Sequence, residues 1–280
     1  MTTAVLPMPA ADYFRDYSSW SQSMIKTFAT RRRLAQAYYV LQTEVEPADS
    51  DPMRKGTATH TALLEPERFD ELVVVYPRSV LDKKGNCTTN ASEDFFNEQT
   101  VAGRTVLKQK QFEAVQAMAA SVRRVCGRWL DLPGEKEQVI RWTDEYSGLP
   151  LKARIDWIIS LQTPIIFDLK TTADASPYKF RKRIEDGRYW LQAAQYIDAV
   201  RHATGCPESP EFYFIAVESE FPFACAMHTL DRASLLAAYS ARRRLLNDLN
   251  ACLATNSWEE PWETEITRLP LRDFAFDNSL

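Results

Sequence analysis

Ile165-Ile166-Phe167-Asp168-Leu169-Lys170-Thr171-Thr172 is the stretch on which the fold turns. Three bulky apolar residues predict a buried strand, yet an acid and a lysine follow at alternate positions. Side chains alternate along a strand, so Asp168 and Lys170 share one face and Leu169 takes the other. A carboxylate among apolar neighbours is costly unless a cation or a hydrogen-bonding partner compensates it. A divalent metal is one such cation, and a lysine beside it could position a water or help deprotonate it. A salt-bridged strand end is the other explanation, and these residues alone leave both open.

The preceding strand, Lys152-Ala-Arg-Ile-Asp156-Trp-Ile-Ile159, puts a second acid inside an apolar run. A short turn at about 162–164 joins the two strands, so Asp156 and Asp168 can lie side by side. Two carboxylates with one lysine make a hard-cation site of the kind magnesium takes, with waters and substrate phosphates completing it. Glu137 opens the strand before, and Glu135 lies two residues earlier. Either could reach the same sheet edge; two exposed acids after a turn is the alternative, and the default for Glu135. His60 stands between Thr59 and Thr61 on a helix with Leu63 and Leu64, where a lone histidine is more often a packed residue than a ligand.

Further along, Gln192 and Tyr196 are four apart and share a helix face, where their polar ends could hold a phosphate or a water. Read alone, Tyr196 is a core residue and Gln192 a surface one. Tyr178-Lys-Phe-Arg181-Lys182-Arg183 interleaves aromatic and basic side chains, which suits a nucleic-acid backbone with bases to stack on. A solvated helix start explains it equally well.

Around these residues the pattern predicts one mixed α/β domain spanning 1–280, with an N-terminal arm over about 1–20 and a tail over about 256–280. Ser21 or Ser23 could cap a helix through Ile25, Phe28, Leu34 and Tyr38. A loop over 46–52, a helix over 53–64 and a strand over 72–76 follow. A long loop over 77–90 then precedes helices over 91–102 and 106–130. From 137 the period changes to two, giving strands at 138–144, 149–160 and 165–170 whose short connections imply an antiparallel meander. A helix over 188–203, strands over 211–218 and 223–229, and a long helix that Asp231 could cap, running to about Ala254, complete the order.

Composition bounds the rest. The 280 residues are 45% hydrophobic and 26% charged, an ordinary globular balance, and no apolar run approaches the roughly 20 residues of a membrane span. The N-terminus lacks the basic and apolar regions of a signal peptide, so a cytoplasmic protein is expected. The five cysteines contain no C-x-x-C pair, which argues against a zinc ribbon or redox motif. Walker A, G-x-S-x-G and G-x-G-x-x-G patterns are absent, and only three histidines occur. A net charge of −4 disfavours nucleic acid on the sum, although charge distribution matters more.

Taken in order, these pieces resemble the PD-(D/E)XK nuclease superfamily: Asp156, eleven intervening residues, then Asp168-Leu169-Lys170. The flanking words are more specific. Gly56-Thr-Ala-Thr-His60-Thr-Ala-Leu-Leu-Glu-Pro66 resembles the helix that supplies the metal-binding histidine in the nuclease domain of exodeoxyribonuclease VIII (RecE). Glu137-Gln-Val-Ile-Arg-Trp142 is similar to its acidic strand, and Lys152-Ala-Arg-Ile-Asp156 and Phe167-Asp168-Leu169-Lys170-Thr171-Thr172-Ala173-Asp174 to its two metal strands. Gly187-Arg-Tyr-Trp-Leu-Gln192-Ala-Ala-Gln-Tyr196 resembles its Q-x-x-x-Y helix, except that Trp190 and Leu191 stand where the family often has a histidine.

The resemblance implies a restriction-endonuclease-like α+β core: a central mixed sheet with an antiparallel meander, flanked by helices. It implies a magnesium-dependent exodeoxyribonuclease that hydrolyses linear double-stranded DNA 5′→3′ and leaves 3′ single-stranded tails for recombination. His60, Asp156, Asp168 and the Leu169 carbonyl would hold metal, with two Mg2+ expected and Mn2+ as a substitute. Glu137 would act at the second metal position or through a metal-bound water, Lys170 would orient the attacking water, and Gln192 and Tyr196 would align the strand. Arg181, Lys182 and Arg183 are the candidate DNA contacts. The resemblance further implies a ring-shaped homo-oligomer (a tetramer by analogy), double-stranded DNA ends and a single-strand annealing recombination protein as partners, and a bacterial host cell with a phage or prophage origin. A ring would also let an acidic chain concentrate its basic residues in a channel. The alternatives are another PD-(D/E)XK endonuclease, a single-strand nuclease, or a catalytically silent DNA-binding or scaffold module.

Overall fold

In the computed structural model the described residues are 4–6, 8, 10–45, 50–206, 208–263, 266 and 268. Strand β1 (Ala4–Leu6) and helix α1 (Ala10–Arg15) come first, then α2 (Gln22–Thr30) and α3 (Arg32–Ala35), which runs into a π-helical turn at Gln36–Leu41. Helix α4 (Asp51–Leu64), the single turn α5 (Phe69–Leu72) and strand β2 (Val73–Val75) follow. Next are α6 (Asn90–Val101), β3 (Thr105–Leu107) and the long α7 (Gln109–Leu130). Strands β4 (Gly134–Thr143), β5 (Pro150–Ile159) and β6 (Ile165–Thr172) form the meander. Helices α8 (Pro177–Gly187) and α9 (Tyr189–Thr204), strands β7 (Glu211–Glu218) and β8 (Cys225–His228), and helix α10 (Arg232–Thr255) complete the order.

Six strands make one sheet in the order β1-β4-β5-β6-β7-β8, and β2 and β3 pair separately. Within the large sheet only β6 and β7 run parallel, with α8 and α9 as the crossover that a parallel pair requires. This is the expected α+β architecture, a mixed sheet containing an antiparallel meander and flanked by helices.

Strand alternation sends successive residues to two cores. Ile166 packs with residues of α2, α9 and α10 on one side, while Phe167 and Leu169 pack with residues of α4 and α7 on the other. Asp168 and Lys170 therefore face the α9 side, and α4 reaches the strand from the opposite side.

Several elements differ from the sequence expectation. The predicted helix over 106–130 begins at Gln109, because Thr105-Val106-Leu107 pairs in parallel with Val73–Val75. The helix capped by Ser21 stops at Thr30, where Arg31 turns extended (φ −151°). β4 starts at Gly134, four residues earlier than its apolar alternation suggests, since exposed Glu135 and half-buried Lys136 still pair with Ile158 and Trp157. Gly134 is required there: a Cβ would sit 2.5 Å from the Ile158 carbonyl oxygen. Strand 223–229 is confined to Cys225–His228, and the basic segment 178–183 lies within α8.

The N-terminal segment is integrated into the sheet. β1 pairs antiparallel with β4, and Trp20 is 6% exposed and bridged to Leu151. The Lys152 ammonium, buried in the sheet, donates to the backbone carbonyls of Tyr13 and Asp16. Most of the expected loop over 46–52 and most of the 256–280 tail fall outside the described residues.

Candidate metal centre and active site

Helix α4 carries His60 toward β6. Pro52 opens the helix, and Ala58, Ala62, Leu63 and Leu64 bury its sheet-facing side. Gly56 faces β6, where a Cβ would make an ordinary contact with Thr171 Oγ1 at 3.4 Å. His60 Nε2 stands 3.0 Å from the Leu169 carbonyl oxygen, and Nδ1 stands 3.5 Å from Asp156 Oδ2. Burial holds the imidazole below its ordinary pKa, against the pull of Asp156.

Asp156 and Glu137 sit where the sheet ladder breaks. β4 and β5 pair Lys136 with Trp157 and Gln138 with Ile155, so Glu137 and Asp156 are the opposed residues that the pairing skips. Glu137 takes a left-handed backbone (φ 54°), an uncommon conformation for a residue with a side chain that signals local strain. β5 and β6 pair only as far as Trp157 with Phe167. Beyond that point the Leu169 amide donates to Asp156 Oδ2 at 2.8 Å, the side chain replacing the next strand's carbonyl.

Like charges directly opposed across a strand pair repel. Here the repulsion is partly offset by Arg154, two residues before Asp156, whose guanidinium lies 2.8 Å from Glu137 and 3.9 Å from Glu65. It does not suffice: burial, then Asp156, pushes the Glu137 carboxyl up to about 8. Ligand atoms of His60, Glu137 and Asp156 all lie within 4.8 Å of one another. One imidazole nitrogen and two carboxylates of raised mutual repulsion suit a divalent cation, which would supply the missing positive charge.

Asp168 forms the other half of the site. It is fully buried, with Lys170 Nζ 2.5 Å from Oδ2 and the Gln192 amide donating to Oδ1. Burial pushes its pKa up to about 7, opposed by Lys170 and assisted by Asp156. Burial alone would depress the Lys170 ammonium, but Asp168 and Asp156 outweigh it and hold the group above its ordinary range. Tyr196, one turn beyond Gln192 on α9, is 5% exposed, and burial followed by Asp156 and Asp168 drives its phenol well above the ordinary value. Gln192 is not the surface residue that its spacing alone suggests; at 6% exposed it points inward to Asp168.

The structure thus brings together His60, Glu137, Asp156, Asp168, Leu169, Lys170, Gln192 and Tyr196 from α4, β4, β5, β6 and α9. Glu135 is separate, exposed and accepting from Gln138. The three basic residues of α8 diverge: Arg181 lies 4.0 Å from Glu185 and over the Tyr178 ring, Lys182 is exposed, and Arg183 turns toward the Tyr189 ring. Sequence reasoning missed Arg154, whose position two residues from Asp156 on one strand was the available signal, and Glu65, which carried none.

A helix-flanked mixed sheet whose adjacent strands carry an acid and a D-x-K at a broken ladder defines a nuclease-like PD-(D/E)XK core. The chain belongs to the family described as "PDDEXK-like domain of unknown function (DUF3799)", which matches residues 21–266. This places it in the expected superfamily without singling out exodeoxyribonuclease VIII. No curated protein matches the sequence. Among solved structures, one from Eubacterium rectale described as "Putative exonuclease" is similar with a TM-score of 0.62 and 14% identity, over 98% of this chain and 100% of that one. At that identity the likeness shows the fold. A second, SSO0001, is 13% identical over 69% of this chain and 86% of that one, with a TM-score of 0.30 that carries no argument. Among the described residues no helix is long and apolar enough to cross a membrane.

Proposed function

We propose that the protein is a magnesium-dependent exonuclease that degrades linear double-stranded DNA 5′→3′, leaving 3′ single-stranded tails for recombination. The observation that carries this reading is the convergence of His60, Glu137 and Asp156 beside the Asp168–Lys170 pair. His60, Asp156, Asp168 and the Leu169 carbonyl would hold Mg2+, or Mn2+ in its place, with Glu137 at a second position or acting through a bound water. When bound, the metal neutralises charge at the phosphate and lowers the pKa of the attacking water.

The chain's own residues have distinct tasks. Lys170, held as a cation by two carboxylates, donates hydrogen bonds to the incoming water and to the charge growing on the phosphate. Gln192 fixes one oxygen of Asp168 so that the other stays with Lys170, and Tyr196 backs Gln192 from the interior. Arg154 holds Glu137 against its strained backbone. The polarity, the recombination role, the ring assembly, the annealing partner and a bacterial cytoplasmic setting of phage origin rest on the resemblance to exodeoxyribonuclease VIII.

One assay tests the reading. Linear duplex, nicked circular and single-stranded DNA are incubated with and without magnesium, with Asp168→Ala as the control. Magnesium-dependent loss of linear duplex alone is expected, and Asp168→Ala should abolish it. Cutting of circles would favour an endonuclease, preference for single strands a single-strand nuclease, and no digestion a silent binding module. An active Asp168→Ala would overturn the site.

A further inference from the structure

Three cations gather near Lys170 with no acid at ion-pair distance among the described residues. Lys26 lies half-buried on α2, Arg183 on the last turns of α8, and Arg188 at the junction of α8 and α9. Tyr189 is the centre of the group: its ring is 5.1 Å from Lys170 Nζ and 5.7 Å from the Arg183 guanidinium carbon. The ring is packed on three sides. Gly187 lies beneath it, where a Cβ would come within 2.9 Å, and Phe180 and Phe214 flank it at 6.5 and 6.2 Å.

Among the described residues no carboxylate lies within 4.0 Å of Lys26, Arg183 or Arg188, whereas neighbouring Arg181 on α8 has Glu185. Beyond its burial, the groups that depress the Lys26 ammonium are Arg183, Lys170 and Arg188, all cations. Lys26 and Arg188 are half-buried and Arg183 is exposed, and half-buried positive charge is ordinarily neutralised by a partner. Arg188 moreover takes a left-handed backbone (φ 53°) between the end of α8 and the start of α9, a conformation uncommon for arginine. Like charges held together, on three elements, beside a packed aromatic ring describe a place for a multivalent anion.

We propose that Lys26, Arg183 and Arg188 form a phosphate subsite with Tyr189 as its floor, taking a nucleic-acid phosphate next to the one hydrolysed beside Lys170. This rests on the nuclease reading above for its substrate, but not for its anion chemistry. The phosphate belongs either to an internal phosphodiester or to a 5′-terminal monoester. Either way, the subsite sets the distance between a bound phosphate and the Asp168–Lys170 pair, and so which bond is presented.

The test compares wild type with Lys26→Gln/Arg188→Asn, asparagine being chosen because it tolerates the left-handed backbone. Binding of a fluorescent duplex end is followed by anisotropy in EDTA across a salt series, and binding of inorganic pyrophosphate by calorimetry without divalent metal. The double variant should bind duplex about tenfold more weakly, with a salt slope shallower by about 1–2, and should lose most of its pyrophosphate affinity. With magnesium its KM should rise while kcat at saturation changes little. Lys26→Arg, which keeps the charge, should behave as wild type and so separates charge from packing at this half-buried position. Unchanged salt slope and pyrophosphate affinity in the double variant would overturn the subsite, as would a wild type that binds neither probe. If wild type binds pyrophosphate in a Lys26-dependent way yet digests no DNA, the subsite stands and the nuclease reading falls. Duplexes with 5′-phosphate, with 5′-hydroxyl, and with a methylphosphonate next to the terminal nucleotide distinguish the two phosphates: the one whose neutralisation reproduces the double variant's loss is the ligand.

Discussion

At the residue scale the site is a set of carboxylates held apart from water by different partners. Asp168 depends on Gln192 and Lys170, one for each oxygen. A hydrogen bond to a buried charged group contributes about 1.5–3 kcal/mol, so Gln192→Ala should lower kcat on the order of 10- to 100-fold with little change in KM. Steady-state digestion of a labelled duplex measures this, and full activity would show that Asp168 needs no such support. Asp168, Lys170 and Asp156 were legible in the sequence because alternation fixes which face a strand residue takes. Read by itself His60 was not separable from a core histidine, and only its flanking motif marked it; its ligand geometry needs Leu169, 109 residues away. Glu137's left-handed backbone and its pairing with Arg154 were hidden for a similar reason, since both arise from a break in the ladder that no local pattern announces.

At the element scale the meander and most of the helices around it were readable, and the small second sheet was not. β4, β5 and β6 followed from period-two patterning, and Ser21 and Asp231 cap α2 and α10 as their side chains suggest. The strand β3 escaped because three residues carry too little periodicity, and its pairing with β2 is decided by tertiary contact. What fastens the helical layer is also nonlocal. Arg242 of α10, 5% exposed, donates to Gln195 Oε1 at 2.6 Å and lies 3.0 Å from Asp198 on α9. Breaking a buried ion pair costs about 3–5 kcal/mol; the low end applies here, because Trp142 still donates to Asp198. Arg242→Ala should therefore lose about 3 kcal/mol in urea unfolding. A loss well under 1 kcal/mol would mean that α10 is held by its apolar contacts alone.

At the scale of the whole molecule the buried carboxyls make stability depend on pH. Glu137 and Asp168 keep their protons in the folded chain up to about 8 and about 7, whereas the unfolded chain releases them near 4.5 and 3.8. Between those limits the folded state binds more protons at these two carboxyls, so stability without metal falls as pH rises. His60 partly offsets this, because its depressed pKa lets the unfolded chain hold a proton that the folded chain lacks below about 6.5. Lys152 acts in the opposite sense. Burial pulls it down to about 8 from 10.5, so the unfolded state binds more protons above pH 8 and stability climbs again. Urea midpoints in EDTA should pass through a minimum near pH 8, and Glu137→Gln should flatten the descending limb; a midpoint rising steadily from pH 5 to 8 would contradict the assignment. The parallel pairing of β6 has a further consequence, for the order of events during synthesis. β6 matches three residues of β5 but eight of β7, and β7 follows only after α8 and α9. Until Glu218 has left the ribosome, Ile165-Ile166-Phe167 is an open edge, and the strand bearing Asp168 and Lys170 has no permanent neighbour on that side. A nascent or truncated chain is thus both inert and sticky, and the finished polypeptide gains its chemistry and hides its aggregation-prone edge in one docking step.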